Sequence, residues 1–169
     1  MKKIENGVNI AASIGVILGI LFLALEIRQN TEMMHSQARD AITDKQMMFS
    51  EWVTTEPEMA VAIVSAGQGL QNMQPEHRVM YGYFLAGVWR EWENSYYQYQ
   101  RGLFDAEEFE PRMLRWRALM QEESARRQWI ATRDWYAPGF RAIVDSFVEE
   151  IEAGFRQREV GEQSGGQDS

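Results

Sequence analysis

The sequence predicts an all-α protein: one N-terminal transmembrane helix continuous with a stalk helix, followed by a compact bundle of four or five helices. Three observations predict it. From Gly7 to Leu25 the chain carries no charged residue. From Leu25 to Glu56 neither glycine nor proline interrupts it. Near the C-terminus apolar residues recur at the three-and-four spacing of a helix face, and no segment alternates with period two over β-branched residues as a half-buried strand would. The chain divides by this reading into an anchor (1–28), a stalk (29–54), a bundle (55–155) and a disordered tail (156–169).

The uncharged stretch spans roughly 28 Å as a helix, close to the bilayer's hydrocarbon thickness of about 30 Å. A soluble domain of 169 residues seldom encloses a helix that is apolar all round. Lys2 and Lys3 also resemble the basic start of a secretion signal, but Phe22, Ala24, Leu25 and Glu26 offer no small-x-small cleavage site, so the segment is expected to stay as an anchor. Ala11, Gly15 and Gly19 place small residues on one face, and such a face lets two helices approach closely in lipid. The expected partners are therefore the lipid bilayer and either a second copy of the chain or another membrane protein. Lys2, Lys3 and the amino terminus slightly outweigh Arg28 and Arg39 in the positive-inside count. This favours a cytoplasmic N-terminus and a domain outside the cytoplasm. Beyond the span, Ile27, Met34, Ala38, Ala41, Met48 and Trp52 approximate a heptad seam, interrupted by Thr31 and Lys45, that packs on the protein's own domain or on a sister stalk.

Thr55, Pro57 and Glu58 suggest a helix start with a threonine cap, ending at Gly67-Gln68-Gly69. Pro75 opens a helix through Tyr99 that stops at Gly102. Asp105 and Glu108 suggest a capping box, with Pro111 late enough to break or kink the turn before a helix to about Glu122. Ser124 is expected to cap a helix through Asp134. Pro138 opens the last helix, whose stripe of Phe140, Ile143, Val144, Phe147, Val148, Ile151 and Phe155 needs a partner surface. The polar, glycine-rich residues 156–169 are expected to be disordered.

Two patches carry a resemblance. Leu25-Glu26-Ile27-Arg28-Gln29-Asn30-Thr31, directly after the span, and Trp135-Tyr136-Ala137-Pro138-Gly139-Phe140-Arg141-Ala142-Ile143-Val144-Asp145 resemble a loose group of uncharacterised bacterial single-span proteins. In these an apolar helix runs into Ile/Val-Arg-Gln-Asn-Thr. The two patches are 7 and 11 residues long, and Glu26 stands where that group often has glutamine. The resemblance implies a membrane-anchored helical fold with no assigned activity and no catalytic residues.

Composition narrows the chemistry. The chain has 17 basic and 25 acidic side chains, a net charge of −8 and no cysteine. The acidic surplus disfavours nucleic acid as a partner, and the lack of thiols removes disulfides, thiolate metal sites and a cysteine nucleophile. Glu32 and His35 have the spacing of a di-iron ligand pair, but no second Glu-x-x-His exists and a solvated pair is expected. Met33, Met34, Met47 and Met48 are soft metal ligands in principle, yet methionine also fills adaptable helical interfaces, and packing is the expected role. No cofactor is implied. Trp89, Trp92, Tyr96 and Tyr99 share one helix face, which reads either as an aromatic core seam or as a face that holds a small flat or cationic ligand. Arg112, Arg115, Arg117, Arg126, Arg127 and Arg133 suggest ion pairing with the chain's own carboxylates, with anionic headgroups as the other reading. The functional expectation is a membrane-anchored interaction or scaffold protein. The alternative is a membrane-tethered sensor or accessory enzyme using the aromatic face.

Overall fold

A computed structural model describes residues 2–165. Among them there is no strand, and six α-helices follow one another: α1 (Lys2–Thr55), α2 (Pro57–Gly67), α3 (Pro75–Gln100), α4 (Ala106–Leu119), α5 (Glu123–Thr132) and α6 (Pro138–Gly165). Leu70–Asn72 and Arg133–Trp135 form single 3-10 turns. Packing divides the chain into two units, Met1–Asp40 and Ala41–Ser169.

The first unit consists of the N-terminal part of α1. An 18-residue window within it has a mean hydropathy of 1.7 and no buried residue, so by length and composition this helix is able to cross a membrane. Every side chain from Ala12 to Met34 is exposed. The few hydroxyls satisfy themselves on the helix: Ser13 donates to the Asn9 carbonyl (2.9 Å) and Thr31 to that of Ile27 (2.9 Å). Such back-bonding is how a hydroxyl is tolerated where no water is present. Arg28 meets Glu32 at 2.9 Å one turn on, which gives Glu32 an ion-pair role.

The second unit begins at Ala41, well before residue 55, so the end of the expected stalk belongs to the bundle. Ala38 of the expected seam is buried, but further along the helix the face differs. Ala41 and Trp52 are exposed, whereas Ile42 lies in the core and Phe49 packs edge-on against Phe84 of α3 (5.8 Å). One residue of shift turns a helix by about 100°, and the aromatic at position 49 wins over the small residue at 41. Met33, Met34 and Met47 are exposed rather than packed, and Met48 is half-buried.

α3 runs through the middle of the unit. Its Tyr81, Leu85, Trp89, Trp92 and Ser95 are buried at three-and-four spacing, against Ala62 and Ala66 of α2, Phe109 and Trp116 of α4, Trp129 of α5 and Phe140 and Val144 of α6. It ends in a Schellman arrangement. Leu103 N–H donates to the Gln98 carbonyl (2.9 Å) and Gly102 N–H to that of Tyr99 (2.9 Å), with Gly102 at φ +67° where a side chain would be strained.

Several helix starts differ from the sequence reading. α1 continues to Thr55, whose hydroxyl bonds the Glu51 carbonyl (2.8 Å), so Glu56 occupies the cap of α2. Asp105 stands at the cap of α4 without a side-chain cap bond. Pro111 lies inside α4 without ending it; the carbonyl it leaves without an amide is that of Glu107, an exposed residue that water can reach. Ser124 sits inside α5, buried against the Tyr81 hydroxyl at 3.0 Å. α5 stops at Thr132, and the following 3-10 turn carries Asp134. α6 continues to Gly165 across most of the stretch read as a disordered tail; residues 166–169 lie outside the described ones. Glu149, Glu152, Arg156 and Arg158 are good helix formers, and Arg156 reaches Glu152 one turn back at 4.0 Å.

Candidate functional site

The aromatic row of α3 is a packed seam. Trp89 is fully buried, its ring 4.7 Å from Trp92 and 5.8 Å from Trp129. Trp92 stacks on Trp116 at 4.9 Å, and Tyr99 stacks on Phe109 at 4.2 Å. Trp116 and Trp129 in turn meet Phe140 of α6 edge-on, at 6.0 and 5.6 Å. The Trp89 indole donates to Gln128 and that of Trp129 to Asp145 (2.8 Å), so each polar edge has a partner. Trp89 and Trp92 are therefore covered from within, and the expected ligand face is closed at those two positions, whereas Tyr99 stacks one face on Phe109 and stays exposed. Tyr96 differs: it is half-buried, and its hydroxyl borders an open cleft.

That cleft, of about 500 Å³, lies between the second half of α3 and the start of α6 and is lined by Arg90, Glu93, Asn94, Tyr96, Tyr97, Gln100, Ala137, Gly139 and Phe140. Its two charges are already committed. Glu93 accepts from Arg90 (2.6 Å) and from the Ala137 backbone amide (2.6 Å). Arg90 also donates to the Trp135 carbonyl (3.1 Å) and lies over the Tyr136 ring (4.5 Å). Tyr136 is buried, which raises its phenol above the usual range despite the nearby arginine.

A second constellation escaped the sequence reading. Glu91, placed between two tryptophans, is buried and accepts from Arg112 of α4, while Ser95, one turn on, donates to it at 2.9 Å. Arg112 also donates to Ser95 (3.0 Å), and turning the Gln46 amide points its oxygen at the same guanidinium. Burial raises the Glu91 carboxyl and outweighs the pull of Arg112; burial likewise lowers Arg112. No local pattern marks this group, because the partners come from three helices. Glu91 and Ser95 are buried and Arg112 is mostly so, which makes the group a tie between α3 and α4, with Gln46 of α1 beside it.

Three of the other arginines named from the sequence follow the ion-pairing reading. Arg117 meets Glu150, Arg127 meets Glu123 (2.6 Å) and Arg133 meets Asp145 (3.3 Å). Arg126 is buried and donates to the carbonyls of Met120 and Gln121, both at 2.6 Å, closing the end of α4. A polar hollow of about 530 Å³ between Gly67-Gln68-Gly69 and the start of α5 is rimmed by Glu122 and the paired Glu123 and Arg127.

No protein-family model, curated protein or solved structure matches the chain. The functional reading rests on the chain's own surfaces. Of the small face in α1, Gly15 and Gly19 are open: a Cβ at either would meet no atom within 4 Å. The side chain of Ala11 lies outside the described residues.

Proposed function

We propose that this is a membrane-anchored helical interaction or scaffold protein. Its span crosses a bacterial inner membrane once and associates, through Ala11, Gly15 and Gly19, with a second copy or with another membrane protein. One observation carries the reading: the most apolar segment of the chain is exposed along its whole described length, with the backbone bare at Gly15 and Gly19. In lipid, helices gain little from the hydrophobic effect on meeting, so association depends on close backbone approach, which glycine permits. The closed core of the bundle supports the same reading, because the tryptophans that suggested an enzyme or sensor pack against one another. The likeness to the single-span group that has Ile/Val-Arg-Gln-Asn-Thr after its anchor belongs to this proposal, as does the orientation with the bundle outside the cytoplasm.

Changing Gly15 and Gly19 together to isoleucine keeps the span apolar while placing branched side chains on the small face. Crosslinking in native membranes is expected to show a dimer, or a heteromeric species, that falls several-fold in the double variant. An unchanged crosslinked fraction assigns association to another surface. Orientation is read in parallel: because the chain has no cysteine, Gln71→Cys supplies a single thiol. An impermeant maleimide is expected to label it in spheroplasts without lysis.

A further inference from the structure

We propose that the cleft between α3 and the start of α6 is a binding site for a neutral, planar aromatic ligand that carries a hydrogen-bonding edge. The rings of Tyr96 and Tyr97 make much of its surface apolar, with the buried Phe140 behind them, and the cleft is large enough for one or two fused rings. Neutrality follows from the charges. Both oxygens of Glu93 are taken, by Arg90 and by the Ala137 amide, and the Arg90 guanidinium is shared among Glu93, the Trp135 carbonyl and the Tyr136 ring. Arg90 and Glu93 cancel one another's charge, so the cleft offers an ion no uncompensated partner, whereas a neutral ring has only water to displace.

The polar edge follows from the groups left over. The Asn94 carboxamide makes no bond to the rest of the described chain and offers both a donor and an acceptor. Gln100 spends its amide nitrogen on the Tyr96 hydroxyl oxygen, which leaves the Gln100 carbonyl free to accept and the Tyr96 proton free to be donated. A ring bearing a carboxamide or hydroxyl matches this set. Gly139 keeps the cleft open toward Tyr96: a Cβ there would lie 3.4 Å from the Tyr96 hydroxyl and 3.6 Å from its ring. Its backbone is helical with φ negative, so the position accepts a side chain without strain, and no feature of the helix itself requires glycine.

The test uses the full chain in detergent micelles with benzamide as the probe, titrated by NMR on the amide signals of Gln100 and Ala137. A saturable shift is expected with a Kd of about 1 mM, the range for so small a ligand. Gly139→Leu fills the cleft and is expected to weaken binding at least about tenfold, equivalent to 1.4 kcal/mol, while the thermal midpoint is held or raised. Asn94→Ala, at an exposed site where folding is not at risk, is expected to weaken it about fivefold by removing one hydrogen-bonding partner. Cyclohexanecarboxamide, which keeps the amide but not the flat ring, and benzoate, which keeps the ring but adds charge, should both bind more weakly than benzamide. Shifts that do not saturate, equal binding of benzamide and cyclohexanecarboxamide, or unchanged affinity in both variants would overturn the proposal.

Discussion

A glutamate held beside two buried tryptophans shows how a single side chain depends on distant ones. Glu91 is desolvated, and it is tolerated because Arg112 and Ser95 bond its carboxylate. Removing one member of a buried pair leaves the other charge without compensation, so Glu91→Ala is expected to cost about 3–5 kcal/mol, whereas replacing both Glu91 and Arg112 by methionine should recover most of that loss. The same site sets a pH dependence. Burial raises the Glu91 carboxyl in the folded state, so only in the pH interval between the ordinary and the raised value does the native protein keep a proton that the unfolded chain has released. This contribution to stability is complete below the ordinary glutamate range near pH 4 and is lost as pH rises from there through the raised folded value. Glu91→Gln removes that part of the slope. Thermal midpoints of the two proteins between about pH 4 and pH 7 would show it, and parallel curves would mean that Glu91 is not protonated preferentially in the fold.

At the level of whole helices, α1 approaches α3 closely at Gly87. A Cβ at Gly87 would stand 3.0 Å from the edge of the Phe49 ring, closer than a carbon can sit without something moving. Gly87→Val is expected to destabilise the protein by about 1–3 kcal/mol, and a further Phe49→Leu change should return part of it. Additive effects in denaturant melts would show that the two positions do not touch. The contrast between these helices explains what was legible in the sequence. α6 declared itself because Phe140, Val144, Phe147, Val148 and Ile151 are buried at the period of a single helix, a pattern local to the segment. Trp89 and Trp92 were equally visible as a face, but whether that face was a seam or a ligand surface depended on Trp116 and Trp129, which come from other helices. Position 87 carried no signal, since glycine within a helix gives no hint that a ring lies across from it. The helix starts at Glu56 and Glu122 were misplaced for a related reason: the hydroxyls of Thr55 and Ser124 found other partners than the helix ends that a capping rule assigns them.

Over the whole molecule the chain separates two solvents. One unit exposes a continuous apolar helix, and the other buries its apolar side chains around α3 and pairs most of its arginines with carboxylates. A surface of the first kind is stable in lipid and associates in water, while one of the second kind is stable in water. Cutting the chain between the two should therefore change its solubility without unfolding the bundle. Deleting residues 1–28 removes the exposed apolar run and, among the described residues, none of the buried ones, the first of which is Ala38. The shortened chain is expected to remain in the supernatant after ultracentrifugation, to show strong helical circular dichroism and to melt in one cooperative transition. The full chain should stay in the pellet through high salt and alkaline carbonate and come out only with detergent. Recovery of the full chain in the detergent-free supernatant would remove the membrane reading. A shortened chain that is soluble yet still dimeric would move the association surface from Gly15 and Gly19 to the bundle, because the deletion removes both glycines.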